Sequence, residues 1–268
     1  MKGLFFRVVG PIVAWGKPAV GERRETRSIP TRSGTLGIIA AALGYTQSMN
    51  PEHLTLGKQY YVASQVLVDS GLLVDYHTTE AGQTSGKLSY RTRNDELFQA
   101  QETHTILSSR EYRTDYVAVL AIIPKLDSPD PSLDVIKAAL RRPTIAPFLG
   151  RKAAPPAAPF DPQLIERDTL MEAFEEYVHR PLLKDRGSEE TGLNAWRSVQ
   201  QLFGVSKWER SIAYAWDHGL FPVFAKGDDR AERVVVRAVV DDPTDRVRWQ
   251  FAERLEAYLY DSPEEESA

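Results

Sequence analysis

The pattern of apolar and polar positions along the chain predicts a β-sheet accompanied by several helices. Three runs rich in β-branched and aromatic residues predict buried strands at 4–9, 60–68 and 112–123. Apolar residues three and four positions apart predict a helix that begins near Gly34 and stops at Gly44. These are the elements with the clearest periodicity.

Further elements follow from the same reasoning. They are a strand at 72–76, helices at 133–141, 164–178, 194–203 and 208–216, a strand at 233–240 and a strand or helix at 248–260. Residues 78–94 are polar and predict a protruding loop or hairpin, whereas the prolines of 143–162 exclude a central strand or helix. The order of elements predicts an α+β fold of the ferredoxin-like kind with a helical insertion.

Composition sets the class of protein. The chain has 268 residues, of which 42% are hydrophobic and 26% charged, as expected of one large or two small globular domains. It contains no cysteine, which excludes disulfides and thiolate metal sites and fits a cytoplasmic location. We expect neither a signal peptide nor a membrane partner, because the apolar runs are short.

The charge is unevenly distributed, although its sum is only -4. The first basic cluster consists of Lys17, Arg23, Arg24, Arg27 and Arg32, and the second of Lys137, Arg141, Arg142, Arg151 and Lys152. One such cluster is most often a solvated surface. Two clusters, each beside a glycine turn, favour anion binding.

The stretch SIPTRSGTLGIIAAALG places polar residues at the mouth of an apolar helix. A helix amino end has unpaired amides and a partial positive charge. Thr31, Arg32, Ser33 and the Gly34 amide therefore predict a phosphate seat, although a capped helix packed through small residues would have the same sequence. Trp15 lies in a glycine-flanked loop and is the tryptophan we most expect to be exposed, where it could stack on a base.

Catalytic patterns are weak. The five histidines show no metal-ligand spacing, and SGTLG lacks the lysine of a phosphate-binding loop, so we predict no metal and no cofactor. Tyr76, His77 and His104 could cleave RNA with histidine as the general base. The same residues also suit plain ligand contact at the end of a sheet.

Four motifs in a fixed order carry a family resemblance. They are GPIVAWGKPAVGERRETRSIPTRSGTLGIIAAALG, LLVDYHTTE, QETHTILSSREYRTDYVAVLAI and PTIAPFLGRKAAPPAAPF. Together they resemble the Cas-five family of CRISPR-associated proteins, in particular its type I-E branch, over roughly residues 4–160. RAVVDDP followed by RWQFAER adds a weaker similarity. Two departures are a longer segment at 163–220, and Arg151-Lys152-Ala153-Ala154 in place of Arg-Arg-Ser-Cys.

The resemblance implies an RNA-recognition-type, ferredoxin-like palm over residues 1–160, with a β-hairpin thumb at about 77–113. Residues 161–225 would be a helical insertion, and 226–268 strands that close the sheet followed by an acidic tail. The thumb would contact RNA through Tyr76, His77, Lys87, Arg91, Arg93, His104, Arg110, Tyr112 and Arg113.

The implied function is a non-catalytic RNA-binding subunit of type I-E Cascade that holds the five-prime handle of the CRISPR RNA. Its partners would be the backbone subunit, the large subunit that reads the flanking motif, and target DNA within the assembled complex. Two alternatives stay open. One is a metal-independent endoribonuclease, as in type I-C relatives, and the other is a protein-only adaptor whose arginines are solvated.

Overall fold

A computed structural model describes residues 1–260 except 18, 20, 83–89, 100–101, 180–212 and 225–231. The described strands are β1 (Lys2–Val13), β2 (Trp15–Gly16), β3 (Arg23–Arg24), β4 (Thr26–Arg27), β5 (Tyr60–Val68), β6 (Gly71–Gly82), β7 (Thr103–Pro124), β8 (Gln163–Glu166), β9 (Ala213–Asp217), β10 (Val235–Asp245) and β11 (Gln250–Tyr260). The helices are α1 (Arg32–Leu43), α2 (Asn50–Gln59), α3 (Arg93–Gln99), α4 (Leu133–Arg141) and α5 (Leu170–His179), followed by the short helical turns His218–Leu220 and Phe221–Phe224.

One large, mostly antiparallel sheet organises the molecule. Its strands lie in the order β10-β11-β9-β5-β7-β1-β8. The amino-terminal half of β7 runs beyond this path and pairs with β6 in a long hairpin, from Gly71 opposite Thr114 to Gly82 opposite Thr103. We call this hairpin the arm. The two-residue β3 pairs parallel with Ser109 and Arg110 of β7, in the half of the arm nearest the sheet, which we call the arm root. Strand β2 pairs with β4.

Both faces of the sheet are buried at its central strands β1, β5 and the carboxy-terminal half of β7. Along β1, Leu4, Phe6 and Val8 pack towards α1 and α4, while Phe5 and Val9 point to the opposite face and pack against α5. This is the two-residue period of a strand covered on both sides. The sheet therefore holds α1 rigidly against one of its faces.

The ends of α1 follow their sequence signals. The Thr31 hydroxyl accepts a hydrogen bond from the Gly34 amide at 3.1 Å, which caps the amino end. Gly44 lies in the left-handed region at a φ of 86° and donates its amide to carbonyls of the last turn.

Several predicted elements are confirmed and others are wrong. The strand at 60–68 and the helix at 133–141 have the predicted bounds, and 248–260 is a strand over most of its length. The segment 164–178 is not one helix, because β8 occupies its start and α5 begins only at Leu170. Residues 213–216, expected to be helical, belong to β9, and the pattern missed α2. The helix predicted at 194–203 lies outside the described residues.

None of the described helices is long and apolar enough to cross a membrane.

A buried ion network ties the start of the chain to its end. Its members are Arg27, Arg32, Arg237 and Arg254 with Asp217, Asp241, Asp242 and Glu256. Arg32 is nearly inaccessible, contacts Asp217, and donates its Nε to Asp242 at 2.9 Å. Arg254 donates to Asp241 at 2.6 Å and to Asp217 at 2.9 Å.

The pKa directions reflect this burial. Burial raises the pKa of the Asp217 carboxyl, and the charges of Arg32 and Arg254 oppose that rise. Burial acts to lower the pKa of Arg254, but the hydrogen bond and charge of Asp241 and the charges of Asp217 and Glu256 together raise it. Each charge is therefore stabilised by its partners, and removing one member leaves the charges of its partners less well compensated.

We predict that Arg32→Ala lowers the free energy of unfolding by about 3 kcal/mol, because it removes the arginine that pairs with Asp242 and one of the two arginines that pair with buried Asp217. The measurement is urea denaturation followed by circular dichroism. Arg248→Ala is the matched control, since Arg248 is exposed and its contact with Asp245 is long, at 3.9 Å. A wild-type midpoint for Arg32→Ala would contradict a stabilising network.

Candidate nucleic-acid interface

An open groove of about 520 Å³ runs along one face of α1. Its floor is made of the small residues Gly34, Gly37 and Ala41. A Cβ added at Gly37 would meet no atom within 4 Å, so the floor is free at that point. Small residues at helical spacing therefore leave room for a ligand to approach the helix backbone.

Three segments from distant parts of the chain form the walls. The connection between β1 and α1, which includes β2–β4, contributes Lys17 and Arg24. The loop after α4 contributes Phe148 and Arg151, and the turn between β10 and β11 contributes Arg246 and Trp249. Lys17 pairs at 3.1 Å with Glu25, and Glu25 and Asp241 also line the groove. The walls thus combine cations with aromatic rings, the combination found in sites for single-stranded nucleic acid.

Gly150 sets the position of the loop after α4. Its φ is +90°, and a Cβ there would lie 1.6 Å from the carbonyl oxygen of Ala14. The neighbouring Leu149 carbonyl accepts the Ala14 amide at 2.9 Å. The glycine therefore allows two backbones to touch at the rim of the groove.

The prediction that the amino end of α1 binds a phosphate is wrong, because a carboxylate of this chain occupies that position. The Arg32 amide donates to a carboxylate oxygen of Asp241 at 2.8 Å, so this chain's own carboxylate fills the place of the anion. Arg32 points into the buried network and Thr31 is buried as the cap. Of the four predicted residues, Ser33 and Gly34 stay half-buried and line the groove.

Two other predicted contacts are also buried. Trp15 is fully inaccessible and packs against Tyr116, because β2 and β4 fold its loop onto the core. The side chain of Arg27 is only 10% exposed and contacts Glu256. Neither is available to stack on a base or to bind a phosphate.

Arg151 is held by backbone carbonyls. Its guanidinium donates to the Glu111 and Arg24 carbonyls, at 2.9 Å each, and lies 4.6 Å from the centre of the Tyr112 ring. Tyr112 is itself buried, which contradicts its predicted contact with RNA. Arg151 thus joins Glu111 of the arm root to Arg24 of β3. The adjacent Lys152 is exposed.

The remaining predicted residues lie on or beside the arm. Tyr76 is 64% exposed, whereas Arg113 is clamped by Asp69 at 2.7–2.9 Å and is structural. Arg93 pairs with Glu96 near the end of the arm, and Arg23 lies 3.4 Å from Glu111 at its root. Arg91 is exposed and Arg110 half-exposed, and Lys87 lies outside the described residues.

The two arm histidines do not converge. His77 pairs with Ser108, while His104 pairs with Ala81, four positions further along the hairpin. That offset separates them by about 13 Å along the strands. His77 contacts Asp75 instead. Within the described part of the chain, no group of His, Cys, Asp and Glu residues could hold a metal ion.

Comparison with known proteins gives the family. The model of the family described as CRISPR-associated protein (Cas_Cas5) matches residues 3–255. The chain belongs to this family. The resemblance carried by its sequence motifs is therefore confirmed.

A curated relative of this Cas5 family member is the CRISPR system Cascade subunit CasD of Escherichia coli (strain K12). The two are 29% identical over 155 residues, which cover 57% of this chain and 66% of the relative, just under two thirds of its length.

Solved structures share the fold. A chain of a CRISPR RNA-guided surveillance complex superposes with a TM-score of 0.59 at 21% identity, covering 96% of this chain and 88% of that chain. A second structure, described as the crystal structure of a Cas protein, gives a TM-score of 0.56 at 20% identity, covering 96% and 95% of the two chains.

Sequence reasoning missed the third wall of the groove. The β10–β11 turn brings Arg246 and Trp249 beside α1, but the final segment was assigned only as a strand or helix. The signal lay in Asp242-Pro243-Thr244-Asp245, a cluster of turn-forming residues at the end of β10, directly before the turn.

Two glycines of the groove should respond in opposite ways to alanine. Gly150→Ala should lower the free energy of unfolding by at least about 2 kcal/mol, through its positive φ and the clash with Ala14. Gly37→Ala should raise it by about 0.5–1 kcal/mol, since alanine favours the helix and meets open space. Urea titrations of both variants check this, and equal effects would contradict the groove geometry.

Proposed function

We propose that this chain is a guide-RNA-binding subunit of a type I-E Cascade complex, where it holds the five-prime handle without cutting it. Membership of the Cas5 family and the similarity to CasD support the assignment. The observation that carries it is the groove on α1, which is open, walled by cations and aromatic rings, and floored by glycine and alanine.

The charge distribution fits RNA rather than a protein adaptor. Four arginines pair with carboxylates in the internal network. At the groove, Arg24 remains exposed, Arg246 is half-buried, and Lys17 is exposed and paired with Glu25. Phosphate contacts of this kind supply affinity, and bases are held by stacking. Because the net charge of the chain is -4, we expect nucleic acid to bind at local clusters of cations and not over the whole surface.

The topology supports a ferredoxin-like palm. Strands β8, β1, β7 and β5 lie side by side, and the chain passes through β1, α1, β5, β7, α4 and β8. This is the strand order and connectivity of the ferredoxin-like fold. The arm corresponds to a thumb, and its exposed apolar residues, such as Leu72, Val74 and Phe98, suit contact within an assembly.

We further propose that the partners are the backbone subunit, the large subunit and target DNA in the assembled cytoplasmic complex. The arm offers an extended surface for a neighbouring subunit, and the groove faces the RNA. Both surfaces are fixed to the same strand, β7, at the arm root, so RNA and protein neighbours would be held in a defined geometry.

Gly37→Glu should weaken RNA binding without unfolding the protein. The substitution places a carboxylate on the open floor of the groove, where it repels phosphate, and we expect at least about a tenfold loss of affinity. Fluorescence anisotropy with a labelled RNA of the chain's own CRISPR repeat gives the affinity at two salt concentrations. The wild-type affinity should fall steeply with salt.

Thr55→Glu is the matched control, because it adds the same charge at an exposed position of α2 away from the groove. It should bind like the wild type. Wild-type affinity for Gly37→Glu would exclude the groove as the RNA site, and binding that ignores salt would contradict phosphate contact.

The chain should not cleave its repeat RNA. Its arm histidines are too far apart to serve as base and acid on one phosphodiester, which requires hydrogen-bond reach to both reacting oxygens. Incubation with labelled repeat RNA and EDTA, resolved on a denaturing gel, should show intact RNA. Cleavage that disappears in the His77→Ala, His104→Ala double variant would establish the endoribonuclease alternative.

A further inference from the structure

Trp249 adopts an unusual backbone conformation at the rim of the groove. Its φ is 55°, in the left-handed region that bulky side chains avoid. The indole is also 59% exposed, so burial in the core does not offset the strain. Strain of this kind persists where the surrounding structure imposes it, and it concentrates at functional sites.

The turn that carries Trp249 is firmly held. Asp245 accepts hydrogen bonds from the Val247 and Arg248 amides, both at 2.9 Å. The Arg246 amide donates to Asn50 at 2.8 Å, and the Arg246 carbonyl accepts from Gln47 at 3.1 Å. The exposed indole is therefore displayed in a set position.

Arg246 stands next to this ring. Its guanidinium lies 4.8 Å from the centre of the Trp249 ring, and no described carboxylate forms an ion pair with it. By contrast, Arg32 pairs with two carboxylates and Arg254 with three. Burial lowers the pKa of Arg246.

We propose that Trp249 and Arg246 form a seat for one unpaired nucleobase of single-stranded RNA, with the indole stacked on the base and the guanidinium on its phosphate. The seat rests on the proposed function and locates part of that function in the β10–β11 turn. An unpaired guanidinium beside an exposed indole matches a nucleotide, which presents an anion and an aromatic face together.

Trp249→Gly separates a binding role from a structural one. Glycine adopts the left-handed conformation without strain, so the melting temperature should be unchanged or higher. The affinity for the labelled repeat RNA should fall about tenfold through the lost stacking. Trp249→Phe keeps a ring and should retain most of the affinity, and Tyr260→Ala, which removes an exposed aromatic ring at the other end of β11, should bind like the wild type.

Intrinsic fluorescence gives a second readout. Stacking on a base quenches an indole, so repeat RNA should quench wild-type emission more strongly than that of Trp249→Phe, which keeps four of the five tryptophans.

If Trp249→Gly binds RNA with the affinity of the wild type, the proposed nucleobase seat is wrong. This includes the case in which the variant binds RNA but fails to assemble with other subunits, because Trp249 would then contact a protein. If the wild type itself does not bind the RNA, the proposed function fails as well. Loss of affinity together with a lower melting temperature for Trp249→Gly would make Trp249 structural and would also overturn the seat.

Discussion

The hydrogen bond from the Arg32 amide to Asp241 is the contact on which the arrangement of the site depends. It joins the first turn of α1 to a strand 209 residues further along the chain. Asp241 also accepts from Arg254, and Arg254 contacts Asp217 on β9. Fixing β10 in this way brings the following turn, with Arg246 and Trp249, beside α1 and gives the groove its third wall.

The network also decides which cations remain for a ligand. Four arginines face four carboxylates, so the buried charges are balanced and the cost of removing them from water is offset by mutual contacts. The cations left at the groove are peripheral to this network. Binding strength and fold stability thus rest on different residues, and they can be altered separately.

Local signals predicted the elements that are locally determined. The stop of α1 at Gly44 and the bounds of α4 depend on neighbours within a few residues, and the structure agrees with them. The segment before α5 and the strand β9 were misassigned because a short apolar run suits either element. Their strand conformation comes from pairing with β1 and with β5 and β11, partners that lie far away in sequence.

The same limit applies to the candidate site. TRSG correctly marks a helix end that attracts an anion, but the sequence cannot show that Asp241 supplies it. Arg27 and Arg113 have the residue type expected of RNA contacts and are instead held by Glu256 and Asp69. A cation's role is set by the carboxylate that folding brings to it. Arg246 was missed for the complementary reason, since only the folded chain shows that no described carboxylate reaches it and that it stacks on an exposed ring.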